Sequence, residues 1–186
     1  MTVGTPFSSG NIPDLVPEGD AARQAVDSLR GYAYQVLASA LAWVDLGEKD
    51  RLYLEVAEDY AVMAQNLSAV QVKDTAASGS LTLNSSNVRD AIGSFVDLVA
   101  RNPGVPVALR YLTTSTIGTE KTVAARPGGI AGLEYWRKAA AGSDVLPLRA
   151  ILDSEEFPAA VRAFVQARDD DELRRDFLQK IGLWRT

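Results

Sequence analysis

Residues 51–73, RLYLEVAEDYAVMAQNLSAVQVK, contain three short apolar runs that are separated by connections of only one or two residues. The runs span residues 51–57, 59–64 and 67–73. In the first run apolar and polar residues alternate, which is typical of a strand with one buried face. In the second, Tyr60 and Val62 fall on one face and Asp59, Ala61 and Met63 on the other. Connections this short cannot contain a crossover helix, so the stretch predicts an antiparallel meander of three strands.

The alternation also predicts which face of the sheet each side chain occupies. In the first run we expect Leu52, Leu54 and Val56 to point inward. In the third run, Gln71 and Lys73 share one face, and the valines on either side of Gln71 take the other. The meander therefore presents an amide and an ammonium side by side.

Acidic residues precede this pair by about a dozen positions. Asp59 begins the second run, and Glu58 and Glu55 lie just before it. Carboxylate and amide oxygens are ligands for Mg²⁺ or Mn²⁺, and a lysine can orient an attacking water or a phosphate oxygen. The pattern predicts metal ligation by Asp59 and Gln71, with either Glu58 or Glu55 completing the shell. Lys73 is the predicted catalytic cation.

A purely structural interpretation of the same residues, without catalysis, stays open. A Gln-x-Lys pair is common on half-solvated strands, and an Asp at a strand start often only shapes the turn. The spacing alone does not separate these alternatives.

Composition removes most other kinds of chemistry. The 186-residue chain has no histidine and no cysteine, which excludes Ser-His triads, thiol nucleophiles, His-bearing metal sites and disulfides. The lack of cysteine fits a reducing cytoplasm, the predicted location. We expect neither a signal peptide nor a membrane span, because no apolar run is long enough.

Charge gives a weaker indication about partners. The net charge of −5 argues mildly against a nucleic-acid partner, although an acidic metal site and a local basic rim are compatible with it. Four arginines are candidates for phosphate contacts: Arg23, Arg30, Arg89 and Arg110.

Helical periodicity flanks the meander on both sides. Apolar residues recur at spacings of three and four from Asp20 to Gly47, and again before the stop signal at Asn102. Residues 105–113 then predict a fourth, buried strand. A helix between the meander and this strand lets the strand return and pair in parallel with the meander, which gives a mixed α/β sheet.

The predicted organisation has three parts. They are a flexible arm at residues 1–19, a core at residues 20–117 and a helical extension at residues 118–186. The extension opens with an exposed loop to residue 129, and its helical pattern continues to Ile181. Its acidic run at residues 169–172, DDDE, predicts a helix cap rather than a calcium site.

Together these features resemble the PD-(D/E)xK restriction-endonuclease-like superfamily. The resemblance lies in the order helix, strand, Asp at a strand start, then (Asp/Glu/Gln)-x-Lys on the next strand. More closely, three segments resemble the double-stranded-DNA endonuclease domains of bacterial anti-phage defence proteins, both CBASS-type and NTPase-linked nucleases. Those segments are Arg30-Gly31-Tyr32-Ala33-Tyr34-Gln35, Glu55 to Asp59, and Val70-Gln71-Val72-Lys73. The similarity covers roughly residues 20–115.

The resemblance implies a restriction-endonuclease-like mixed sheet flanked by helices. It also implies Mg²⁺- or Mn²⁺-dependent hydrolysis of double-stranded DNA with little sequence specificity, in a homo-oligomer switched on by assembly or by a sensor or NTPase domain. Asp59 and Gln71 would bind the metal, Lys73 would act in catalysis, and Gln35 stands where relatives place a helix glutamate. No proline precedes Asp59, and Gln71 replaces the commoner acid. The alternative is a non-catalytic interaction or oligomerisation module on a decayed nuclease fold.

Overall fold

The computed structural model describes residues 26–73 and 79–185. The predicted arm at residues 1–19 and the predicted helix start at Asp20 lie outside the described residues. None of the described helices is both long and apolar enough to cross a membrane.

The protein is an α/β protein built on one five-stranded mixed sheet, with the strands in their chain order across it. The first three strands form an antiparallel meander, as predicted. The fourth strand pairs in parallel with the third, which confirms the predicted crossover, and the fifth pairs in parallel with the fourth. The strands are β1 (Arg51–Leu54), β2 (Tyr60–Met63), β3 (Leu67–Lys73), β4 (Val107–Thr113) and β5 (Ile181–Arg185).

Helices cover both faces of this sheet. Helix α1 packs on one face, and the remaining helices pack on the other, where their buried side chains form the main hydrophobic core. The helices are α1 (Val26–Val44), α2 (Ser86–Arg101), α3 (Gly132–Ala140), α4 (Leu146–Leu152), α5 (Ala159–Gln166) and α6 (Asp170–Leu173), which continues into a π-helical turn at Arg174–Leu178.

The alternation of β3 divides its side chains between these two faces. Val70 and Val72 pack under α1 together with Tyr60 and Ala38. Leu67 and Ala69 belong to the main core on the opposite face. Gln71 and Lys73 therefore lie on the α2 face of the sheet, at the C-terminal end of β3.

The predicted first strand is too long. β1 ends at Leu54, and the side chains of Leu54 and Val56 are 56% and 74% exposed rather than directed inward. The reason is a tight reversal of the chain, in which the Glu55 amide donates a 3.1 Å hydrogen bond to the Asp59 carbonyl. Leu54 still pairs with Tyr60, but β1 is an edge strand that ends there, and Val56 lies in the turn itself, so alternation along the run does not predict burial of either side chain. Only Leu52 of the predicted inward set packs under α1.

The helical extension is helical only as far as Leu178. Ile181, which the sequence places on a helix, begins β5 and is buried beside Leu109 of β4. The apolar spacing in this region suits a helix, but pairing with the open edge of β4 satisfies backbone groups that a helix would leave unpaired. The main core also continues across the predicted boundary between residues 117 and 118.

Two further predictions for the extension have different outcomes. Asp169 and Glu172 form a capping box at the start of α6, as expected for a cap. The segment predicted as an exposed loop is exposed at most of its positions, but it buries Glu120, whose carboxylate accepts hydrogen bonds from the amides of Leu83 and Gly132 at 3.0 and 2.9 Å. A buried carboxylate requires such donors, and only the folded chain supplies them.

Candidate functional site

Asp59 lies immediately before β2, in the turn that joins it to β1. Glu55 and Glu58, which flank the turn, have φ angles of 55° and 64°. This left-handed region is unfavourable for residues with a Cβ atom and is common at sites where geometry matters more than local stability. The turn holds the Asp59 side chain against the end of the sheet.

Two donors from distant parts of the chain hold the Asp59 carboxylate. The Gln35 side-chain amide on α1 donates to Oδ1 at 2.6 Å. The backbone amide of Val72 donates to Oδ2 at 2.5 Å. Each carboxylate oxygen keeps a free lone pair for a further ligand. The contact with Val72 places this carboxylate beside the point of β3 that lies between Gln71 and Lys73.

Gln71, which precedes Val72 on β3, carries a second side-chain oxygen of interest. Its side-chain Oε1 is buried and has no hydrogen-bond partner among the described residues. Tyr111 lies opposite Gln71 in the β3–β4 register, and its hydroxyl oxygen is also buried without a hydrogen-bond partner among the described residues. Buried polar atoms are almost always hydrogen-bonded to protein or water, so two neighbouring orphan oxygens suit a bound water or cation.

The surroundings of Tyr111 are acidic and dry. Burial, together with the nearby carboxylates of Asp59 and Asp90, raises the pKa of its phenol to about 12. Tyr111 is therefore a neutral phenol at physiological pH. Asp90 lies on α2 and was not singled out from the sequence, because it looks like any acid on the polar face of an amphipathic helix.

Lys73 is the last residue of β3 and is half-buried. It pairs in register with Thr113, and its carbonyl accepts a hydrogen bond from the Thr114 amide at 3.4 Å. Its place two residues beyond Gln71 puts both side chains on the same face, as the alternation predicts.

The two glutamates do not join Asp59 in an acidic cluster. Glu55 is exposed, and Glu58 lines a small cavity of about 110 Å³ together with Asp97 and Arg101 of α2. Within residues 26–73 and 79–185, no three Asp, Glu, His or Cys side chains lie close enough together to hold a metal ion. The structure brings Asp59 to Gln35 and to β3, and leaves both glutamates apart.

The candidate arginines do not form one rim. Arg89 on α2 pairs with Glu156 at 2.6 Å. Arg30 and Arg110 lie on the α1 side of the sheet, away from the face that carries Gln71 and Lys73. Arg23 is outside the described residues. The three described arginines therefore lie on both sides of the sheet rather than together beside Lys73.

A larger cleft, of about 580 Å³, lies elsewhere, between α4 and the short turns that precede α3. It contains none of the predicted site residues. Its charged groups are already engaged: Arg126 donates to the backbone carbonyl of Glu120 at 2.7 Å, and Glu156 pairs with Arg89. The cleft thus lacks converging reactive groups.

Comparison of the chain with protein-family models, with curated proteins and with solved structures found no match. The chemistry of the site therefore rests on its own residues and geometry.

Proposed function

We propose that this protein is a metal-dependent endonuclease of the restriction-endonuclease-like fold, which hydrolyses DNA phosphodiester bonds with little sequence specificity. One observation carries the proposal. Gln35 and the Val72 amide hold the Asp59 carboxylate against β3, where Gln71 has a buried oxygen with no partner among the described residues and Lys73 follows on the same face as Gln71.

The order of elements supports the fold assignment. A helix, an antiparallel meander, a second helix and a parallel crossover strand follow one another as the resemblance to the nuclease superfamily implies. The acidic residue at the start of β2 and the Gln-x-Lys sequence of β3 occupy the corresponding places in this order.

The donor set fits a Mg²⁺ or Mn²⁺ ion. Asp59 and Gln71 would hold it, because the first has a free lone pair on each oxygen and the second has an unsatisfied amide oxygen. Mg²⁺ commonly uses one or two carboxylates and keeps several waters, so a single carboxylate suffices. When bound, such an ion lowers the pKa of water and neutralises phosphate charge. Glu58 and Glu55 remain alternative candidates for a further ligand.

The chain's own residues divide the remaining tasks. Gln35 orients the Asp59 carboxylate through its hydrogen bond to Oδ1. The Lys73 ammonium stabilises negative charge on a non-bridging phosphate oxygen or orients the attacking water. Both roles use groups that the fold already holds on rigid elements, α1 and β3.

A nuclease with little specificity would kill its host if it were always active. We therefore propose that the protein is the cytoplasmic effector part of an anti-phage defence system, kept latent until a sensor or NTPase component or assembly activates it. The sequence resemblance is the support for this role.

Plasmid cleavage tests the catalytic assignment. With Mg²⁺ or Mn²⁺, the assembled wild-type protein should nick and linearise supercoiled DNA, and Lys73→Ala and Asp59→Asn should each reduce the rate by at least about a hundredfold. Lys49→Ala is the matched control, since Lys49 is exposed in the turn before β1, at the opposite end of the sheet. Circular dichroism checks that each variant folds. Cleavage retained by Lys73→Ala would show that Lys73 is misassigned, and an RNA panel tests the choice of nucleic acid.

A non-catalytic interaction module on a decayed nuclease fold is the second candidate. The observation that favours it is the lack of a three-acid cluster among the described residues. Calorimetric titration with Mn²⁺ separates the two. A nuclease should bind the ion in a manner that Asp59→Asn abolishes, whereas a decayed site should show no binding that depends on Asp59.

A further inference from the structure

The side of helix α1 that faces away from the sheet is almost entirely apolar. Its inner side packs on β3 through small and medium residues, among them Ala38 and Ala42. Its outer side carries six large apolar side chains that are each between 46% and 77% exposed. They are Leu29, Tyr32, Val36, Leu37, Trp43 and Val44, and we call them the α1 outer face.

The stretch from Gly31 to Val44 contains no charged residue. A surface helix of a soluble protein normally carries charged and polar residues on its solvent side. The inner contacts of α1 already account for its place in the fold, so the outer face is not needed for packing within the described chain. An uncharged, apolar solvent side is the pattern of a helix that is buried on both sides.

The size of this face matches one half of a stable interface. Aromatic side chains have surfaces of roughly 150–250 Å², and the aliphatic ones of this face are at or below the lower end of that range. Six such residues exposed by about two thirds on average present on the order of 600 Å² of apolar area. The largest apolar patch of a typical monomer is about 300–600 Å². A standard interface buries about 800 Å² on each partner. Leu54 of β1, on the α1 side opposite Tyr60 and 56% exposed, adds to the area.

The chemistry of the face favours a second copy of the same chain. A two-fold interface must be complementary to itself, and the stretch of α1 from Gly31 to Val44 meets that condition because it contains no charged residue. The charged residues of the helix, Asp27 and Arg30, precede this stretch. A differently charged partner would need a complementary charge, which the stretch from Gly31 to Val44 does not offer.

We propose that the α1 outer face binds the α1 outer face of a second copy, to form a two-fold symmetric dimer. This proposal is independent of the nuclease activity. It concerns only the assembly of the chain, and its tests measure mass and proximity.

Sedimentation velocity over a dilution series tests the dimer. Wild-type protein should sediment at twice the chain mass of 20.0 kDa. Leu29→Asp/Val36→Asp should raise the dimer dissociation constant by at least about a hundredfold, because each copy would bury two unpaired carboxylates. The matched control is Val123→Asp/Leu146→Asp, which alters two apolar residues that are 69% and 59% exposed outside this face. Wild-type protein that is monomeric at every concentration, or an α1 variant that stays dimeric, overturns the proposal.

Disulfide crosslinking gives a second test that does not depend on a destabilising change. The chain has no cysteine, so Ala33→Cys/Ala40→Cys introduces the only thiols, both at exposed positions of α1. Seven residues span about 10 Å of helix, too far for a bond within one chain. Parallel helices would join like positions and antiparallel helices would join 33 to 40.

Mild oxidation should convert this variant into a covalent dimer. Ala124→Cys/Ala163→Cys, at exposed positions on other elements, should crosslink far less. Equal crosslinking of both variants, or none in the α1 variant, overturns the proposal. If residues 1–25 of the same chain cover the face instead, the wild type is monomeric and its deletion variant associates, which also overturns it.

Discussion

Asp59 owes its place to contacts that are remote in the sequence. Its two hydrogen-bond donors, Gln35 and Val72, lie 24 and 13 positions away. Removing either partner would free a carboxylate that the fold now holds beside Gln71. The site forms only because these distant residues come into contact. The left-handed backbone of Glu55 and Glu58 shapes the turn that holds Asp59 in that position.

Tyr111 provides a test at the residue scale. Its folded-state pKa of about 12 lies above the ordinary value of 10.0, so the folded state holds this proton more tightly. The stability that follows is fully present below about pH 10 and is lost as the pH rises towards 12, a loss of roughly 1–3 kcal/mol. Urea unfolding of wild-type protein between pH 9 and pH 12 should show this decline.

Tyr111→Phe should flatten that decline. At pH 7 the substitution should be neutral or slightly stabilising, because the hydroxyl is buried without a partner among the described residues. Tyr53→Phe, at a partly exposed position, is the control. An unchanged pH profile in Tyr111→Phe would show that another group controls the alkaline transition.

At the scale of elements, short helices depend on their ends. α6 has four residues, and its start is fixed by Asp169, which accepts from the Glu172 amide at 2.8 Å while Glu172 accepts from the Asp169 amide at 3.2 Å. This capping box was predictable because it is local. The strand that follows was not, because an apolar run such as that around Ile181 suits a helix or a strand, and the open edge of β4 decides between them.

Asp169→Ala should therefore destabilise the protein by about 1 kcal/mol, since it removes the cap of α6. The melting temperature should fall by about 2–4 °C for a chain of this length. Asp171→Ala is the matched control within the same turn. Its carboxylate is exposed and pairs with Arg174 only at 3.3 Å, so the change should stay within about 0.5 kcal/mol. Equal losses in both variants would mean that general charge, not capping, stabilises this turn.

At the scale of the whole molecule, one core joins the two halves of the chain. Phe177 from the C-terminal region packs on Phe95 of α2 with 5.7 Å between ring centroids, and on Trp136 of α3 at 5.4 Å. Helix α1 packs separately, on the opposite face of the sheet. Its inner side reaches Asp59 through Gln35, and its outer side is the proposed dimer surface.

A chain that ends at Ile117 should not fold by itself. It would expose the edge of β4 that pairs with β5 and the side of α2 that packs on α5, including Phe95, which is fully buried in the intact protein. The intact chain should unfold in one cooperative transition, and the fragment should show none by calorimetry or circular dichroism. A fragment with a cooperative transition would mean that residues 118–186 form a separable unit.

The sequence by itself determined the meander, the crossover and the faces of β3, because short connections and alternation act between neighbours in the chain. It also pointed to Asp59, Gln71 and Lys73, since the spacing of residues on adjacent strands is a local property. Only the tertiary structure decided that Leu54 and Val56 are exposed, that Ile181 begins a strand, and that Asp90 approaches Tyr111. Those outcomes depend on which distant segment supplies a partner for a backbone group or covers an apolar side chain, and periodicity along one segment does not contain that information.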